Sequence, residues 1–240
     1  MIYIPQALTD AWLMEDIQGG DLTTRALGTG NQAGIMEFRH RQGGCVSGIA
    51  PAAQMLRSLG LTVTARLEDG AQARPGEVLL RATGRACALQ QGWKAVQNVL
   101  EWSCGVSAYV AQMLALLHTR LPNAHIACTR KAIPGTRLLG TQAIVAAGGL
   151  IHRAGCAETL LLFANHRRFL TDDGDWAHAI DLLRRRSPEK KWPWKPIRRK
   201  KRWLRCEHNP TFCNLINLRL SRPARSQIKP AISPRFARWH

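Results

Sequence analysis

Lysine is missing from the first 93 residues of this 240-residue chain, and acidic residues are nearly missing from its last quarter. The first absence excludes a cofactor carrier built on an exposed hairpin lysine in the N-terminal region. The second concentrates charge. From Arg184 onward there are 18 Lys+Arg against 2 Asp+Glu, leaving 16 against 14 before it, so +16 of the net +18 lies in the tail. Such asymmetry suggests an arm for nucleic acid or an anionic surface. No apolar run reaches the ~18 residues of a transmembrane helix. Met1-Ile2-Tyr3-Ile4-Pro5 lacks the basic, apolar and small-residue segments of a signal peptide, so a cytoplasmic protein without a membrane partner is the expectation. Seven cysteines, odd in number and scattered, fit buried reduced thiols rather than a disulfide framework. There is no Walker motif and no GxGxxG, hence no P-loop signature.

Apolar spacing predicts a helix after Pro5, with Leu8, Ala11, Trp12 and Glu15 in register and Gly19-Gly20 ending it. A strand over 34–41, a helix over 51–59, and strands over 61–67 and 77–83 about the Asp69-Gly70 turn make a small α+β unit. The Leu67–Leu80 stretch resembles the hammerhead turn of biotinyl and lipoyl carrier domains, but it has no lysine to modify. Ala86 to Leu117 reads as helix, with a break predicted near Cys104-Gly105. After Pro122 come a strand (124–128), a loop, a helix (138–147), a turn at Gly148-Gly149, a strand (158–163) and a helix (176–186). That alternation predicts a parallel sheet with ligands at the C-terminal strand ends. Beyond Lys191 the order stops. Trp192-Pro193-Trp194-Lys195-Pro196 cannot continue a helix, Arg198 to Arg202 is wholly cationic, and no strand is predicted.

Two short motifs carry chemistry. Thr129-Arg130-Lys131-Ala132-Ile133-Pro134-Gly135-Thr136-Arg137 directly follows the predicted strand 124–128. Arg130 offers a planar fork for carboxylate or phosphate, Lys131 a movable point charge, and the Pro-Gly bend turns Arg137 toward the same loop. Gly148-Gly149-Leu150-Ile151-His152-Arg153 lets backbone approach a ligand beside a titratable and a cationic side chain, although a helix cap followed by a core histidine accounts for it equally well. Asn165-His166-Arg167-Arg168 follows the second predicted strand and reads either as part of a phosphate site or as an exposed basic loop. Cys206, His208 and Cys213 lack the paired spacing and fourth ligand of a structural zinc site, so no metal site is predicted there.

These motifs, with Asp16-Ile17-Gln18-Gly19-Gly20-Asp21-Leu22-Thr23-Thr24 and Gly105-Val106-Ser107, resemble the nicotinate-nucleotide pyrophosphorylase (quinolinate phosphoribosyltransferase) family over about two-thirds of the chain. The stretch from Ala154-Gly155-Cys156-Ala157-Glu158-Thr159 to Phe169 is similar to a branch associated with molybdenum-transport operons. The resemblance implies an α/β fold: an N-terminal α+β sandwich domain with a bridging helix (1–105), an incomplete TIM-like α/β barrel (106–191) and an irregular basic tail (192–240). It implies transfer of phosphoribosyl from phosphoribosyl pyrophosphate, with Mg2+, to a quinolinate-like acceptor, releasing pyrophosphate and carbon dioxide. It further implies a homodimer whose site is shared between copies. On that reading Lys94, Thr129, Arg130, Lys131, His152 and Arg153 bind substrate, with Arg130 and Lys131 also catalytic.

Three departures from the family stand out. Lys94 stands where the family has an arginine, and Phe163-Ala164 replaces a lysine-bearing position before Asn165-His166. The later strands, with their acidic magnesium and ribose ligands, have no counterpart after Lys191, which suggests a shift of reading frame near Lys190-Lys191 and an impaired enzyme. The competing expectation is nonspecific nucleic-acid binding by the basic tail, with Trp192, Trp194 and Trp203 stacking on bases.

Overall fold

The computed structural model describes residues 2–172 and 174–190, and the backbone of 212–213. The chain opens with α1 (Gln6–Ile17) and α2 (Leu22–Ala26), followed by β1 (Ala33–His40), β2 (Gly44–Cys45) and α3 (Ile49–Ser58). Then come β3 (Thr62–Ala65), β4 (Gln72–Ala73), β5 (Glu77–Arg85) and a long α4 (Ala86–His118). Strands β1, β5 and β3 form an antiparallel sheet in the order β1-β5-β3, and β2 pairs with β4. The alternation is that of a half-buried sheet. Met36, Phe38 and His40 of β1 face inward, while Ile35, Glu37 and Arg39 face outward. A bulge between Phe38 and Arg39 shifts the register so that Arg39 meets Val78. The apolar inward residues Met36 and Phe38, with Leu80 and Ala82, join Met55 and Leu56 of α3 and Val96 and Leu100 of α4 in one core.

Helix α4 runs unbroken for 33 residues, so the break expected near Cys104-Gly105 does not occur. One side of it is fixed by the β2–α3 connection. The Cys104 thiol donates to Ser47 O at 3.3 Å, and Ser107 Oγ donates to Cys45 O at 2.6 Å. These bonds outweigh the ~1 kcal/mol helix penalty of the single Gly105. By length and composition α4 alone among the described helices could cross a bilayer. Its Leu89, Val96 and Leu100 nevertheless belong to the core just described.

Beyond α4, β6 (His125–Cys128) and β7 (Leu150–Ile151) pair in parallel across α5 (Arg137–Ala146); the sheet is parallel as expected, but its second strand directly follows the Gly148-Gly149 turn instead of lying at 158–163. Ile126 packs with Val110 and Leu114 of α4. On the other edge of β6, Phe212–Cys213 forms a two-residue parallel strand, β8, within the tail where no strand is expected. The described residues through Ile151, with β8, belong to one compact unit, and those from His152 to Lys190 to a second.

The second unit differs from the sequence reading at its start. No strand forms over 158–163. Arg153 Nη1 donates to Thr159 O at 3.4 Å and the Glu158 carboxylate accepts the Ala154 N–H, so the segment folds back on itself instead of extending. Asn165-His166 consequently sits in a short helix, α6 (Ala164–Arg167), and not after a strand. Helix α7 (Trp176–Arg186) follows, with Asp175 Oδ1 accepting the His178 N–H at 2.9 Å as its N-cap.

Candidate functional site

Strands β6 and β7 end together, Cys128 opposite Ile151. Thr129-Arg130-Lys131 therefore leaves one strand end, while His152-Arg153 continues the chain from the neighbouring strand end. In a parallel α/β sheet these C-terminal ends are where ligands are bound.

The 129–136 loop is held by its own backbone. Ala132 N–H donates to Arg130 O at 2.9 Å, and the backbone N–H and hydroxyl of Thr136 both donate to Ile133 O, at 3.1 and 2.8 Å. Gly135 adopts φ +85°, a left-handed turn that favours glycine. Arg130 is half-buried, whereas Thr129, Lys131 and Arg137 are exposed, Arg137 being the first residue of α5. Arg130 and Lys131 have no carboxylate partner among the described residues. The loop thus presents two cations to an incoming anion without an internal counter-ion.

Lys94 lies on α4 of the first unit. It is exposed, donates to Gln97 Oε1 at 3.4 Å and sits 5.6 Å from the Trp93 ring centroid, so both partners belong to its own helix. In the second unit, the Arg153 bond to Thr159 O makes that arginine an organiser of the 153–159 turn. Phe163 N–H donates to His166 Nδ1 at 3.0 Å and the two rings stack. Arg167 lies 4.0 Å from the Trp176 ring centroid. In the first unit, Asp21 is a helix cap, its Oδ1 accepting Thr24 N–H at 2.6 Å. The Thr24 bonds hold its carboxyl below the usual range.

One polar group reads in the sequence only as part of a turn. Asp69 Oδ1 accepts the Ile49 N–H at 3.0 Å and its Oδ2 accepts Gln142 Nε2 from α5. Burial pushes this carboxyl up, against the Ile49, Gln142 and Gly48 bonds that pull it down. Nothing in the spacing of an Asp-Gly turn announces a partner 73 residues away.

Among the described residues no group of three His, Cys, Asp or Glu could hold a metal ion. The magnesium implied by the family resemblance finds no such donor set there, and no residue is assigned to it. Cys206 and His208, and the side chain of Cys213, lie outside the described residues, as do Trp192, Trp194 and Trp203.

Taken together, an antiparallel α+β layer, a long connecting helix and the start of a parallel α/β sheet with cations at its strand ends define a phosphoribosyltransferase-type architecture. Residues 21–104 match the N-terminal domain, and residues 106–192 the C-terminal domain, of quinolinate phosphoribosyl transferase. The chain belongs to that family. It is 69% identical over 191 residues to ModD of Escherichia coli O6:H1, a pyrophosphorylase by name, covering 80% of this chain and 67% of that one. It is 30% identical over 161 residues to a nicotinate-nucleotide pyrophosphorylase [carboxylating] of Bacillus subtilis, covering 66% of this chain and 55% of the other. The solved nicotinate-nucleotide pyrophosphorylase of Francisella tularensis shares the fold at TM-score 0.71 and 20% identity, over 79% of this chain and 67% of that one. The chain thus spans about two-thirds of the length of ModD and about half that of the Bacillus protein. Members of the family are pentosyltransferases, which places this chain in an enzyme class.

Proposed function

We propose that this site takes a pyridine dicarboxylate resembling quinolinate and joins its ring nitrogen to the phosphoribosyl group of phosphoribosyl pyrophosphate. Pyrophosphate leaves from the ribose, and carbon dioxide leaves from the acceptor carboxylate beside the nitrogen. The observation that carries this reading is the placement of Arg130 and Lys131 at the C-terminal end of β6, without a counter-ion among the described residues, beside the strand end that leads to His152-Arg153. Arg130 pairs with one carboxylate through its fork and Lys131 with the other, with Thr129 donating a hydroxyl. As the carbon–carbon bond breaks, its electron pair stays on the ring carbon beside the now positively charged nitrogen, and that carbon then takes a proton from water in place of the carboxylate; fixed charge in the site steadies this redistribution. The ribosyl centre becomes oxocarbenium-like, so positioning contributes more than a nucleophile would. Lys94, whose partners lie on its own helix, acts from a second copy of the chain in a homodimer.

Turnover is impaired in this chain. Likeness to the family's C-terminal domain stops at residue 192, and the described residues hold no counterpart of the later strands to which the family resemblance assigns the ribose and phosphate. Incubation with phosphoribosyl pyrophosphate, quinolinate and magnesium, following nicotinate mononucleotide, is expected to give slow or undetectable transfer alongside measurable quinolinate binding. Absence of binding to any pyridine carboxylate overturns the reading.

The charge distribution favours a second activity. With 18 Lys+Arg against 2 Asp+Glu from Arg184 onward, the tail binds nucleic-acid phosphates nonspecifically, with affinity falling steeply as salt rises. Truncation at Ser187 is expected to abolish that binding, and equal binding without the tail contradicts it.

A further inference from the structure

The loop that carries Arg130 and Lys131 ends where α5 begins, so whatever sets the position of α5 sets the loop. The two are joined without a hinge: Thr136 bonds back to Ile133 O, and Gly140 N–H donates to Thr136 O at 2.9 Å. Two kinds of contact hold α5 itself. Leu139 enters the main apolar core, and Trp102 lies over Gly140, 3.1 Å from where a Cβ would stand. Apolar contacts of this sort define a surface but tolerate sliding. The directional contact is Gln142, only 4% exposed, which donates to the Asp69 carboxylate.

Asp69 is itself anchored. It accepts the N–H group of Ile49, the first residue of α3, and its turn is pinned by Gly70 N–H to Val46 O and Val46 N–H to Ala71 O, both at 2.8 Å. Gly48 in turn presses on α4, since a Cβ there would stand 2.7 Å from Ser103 Oγ. The next turn of α5 also meets this loop: a Cβ on Gly70 would come within 2.9 Å of Ala146 O. One carboxylate thus connects the α3 N-terminus, the 68–71 turn and α5.

We propose that Asp69 is the positioning residue for the 129–136 loop, fixing α5 through Gln142 and thereby the placement of Arg130 and Lys131. The proposal rests on the reading of that loop as the acceptor site only for its effect on binding. The positional claim stands on the hydrogen bonds alone.

Hydrogen exchange of the full-length chain without ligand tests it, with quinolinate binding as a second readout. Gln142→Glu sets two carboxylates against each other. It is expected to raise amide exchange over residues 129–146 about tenfold, the scale of losing a charge-assisted bond, while β1, β3 and β5 keep their protection. Asp69→Asn gives a smaller increase, because its amide oxygen still accepts from Ile49. Combining Asp69→Asn with Gln142→Glu exchanges donor and acceptor, the new amide at position 69 donating to the new carboxylate at position 142, and protection of 129–146 returns. Unchanged exchange in Gln142→Glu, or no recovery in the double variant, overturns the proposal. Exchange that behaves as expected in a chain that binds no pyridine carboxylate leaves the positioning role intact and rejects the acceptor reading instead.

Discussion

Cys128 and Ile151 face each other as the last residue pair of two parallel strands. Each is followed in sequence by one of the two cationic motifs, Thr129-Arg130-Lys131 and His152-Arg153. The two strand ends are separated in sequence by a whole helix, as βαβ connections require, and pair within one unit.

If Lys94 serves a site on another copy, two defective variants should complement. Lys94→Ala and Arg130→Ala are each expected to bind quinolinate weakly, while their mixture regains part of the binding through dimers with one intact site. Lys94 is exposed, so its removal should change stability by no more than about 0.5 kcal/mol. Calorimetry on the two variants and on the remixed protein checks this, and a mixture no better than its components contradicts sharing.

Gly48 cannot accept a side chain. Its φ of +88° lies in the left-handed region, and a Cβ would meet Ser103 Oγ at 2.7 Å and Ser103 Cβ at 2.8 Å. Gly48→Ala is expected to destabilise the chain by about 1–3 kcal/mol from backbone strain alone, with crowding in addition. A urea midpoint within error of wild type would refute the packing described for α3 against α4.

Glu37 lies between two arginines on the outer face of the sheet, bonded to both Arg81 and Arg39. The Arg81 bond most of all holds its carboxyl below the ordinary 4.5. A depressed carboxyl contributes stability that is present above about 4.5 and is lost as pH falls through the lower folded value. Both arginine side chains are about a third exposed or more, so solvent reduces the effect. Thermal midpoints of Glu37→Gln should lie below wild type at pH 7 and converge with it as pH falls below the ordinary carboxyl range. Parallel curves across that range would exclude the linkage.

Much of the first unit is legible in the sequence because its signals are local. Gly19-Gly20, Asp69-Gly70 and Gly148-Gly149 mark ends and turns, and the apolar periods of α1, β1, β5 and α4 survive in the fold. The differences arise where tertiary contacts decide. Cys104-Gly105 reads as a break until Ser47 and Cys45 are seen against that side of α4. Residues 158–163 read as a strand because Leu160, Leu161, Leu162 and Phe163 are apolar, but Arg153 and Glu158 close the turn before them. Arg130 and Lys131 can be found from their place after a strand. Asp69 cannot, since its role depends on Gln142 coming to it.

Calorimetric titration of the full-length chain with quinolinate, in parallel with Arg130→Ala, tests the central claim most directly. The wild type is expected to bind, Arg130→Ala to bind about ten- to a hundredfold more weakly, a loss of roughly 1.5–3 kcal/mol, and Arg130→Lys to fall between them because the charge remains without the fork. Equal binding by wild type and Arg130→Ala, or no binding by the wild type, would contradict the assignment of the 129–136 loop as the acceptor site.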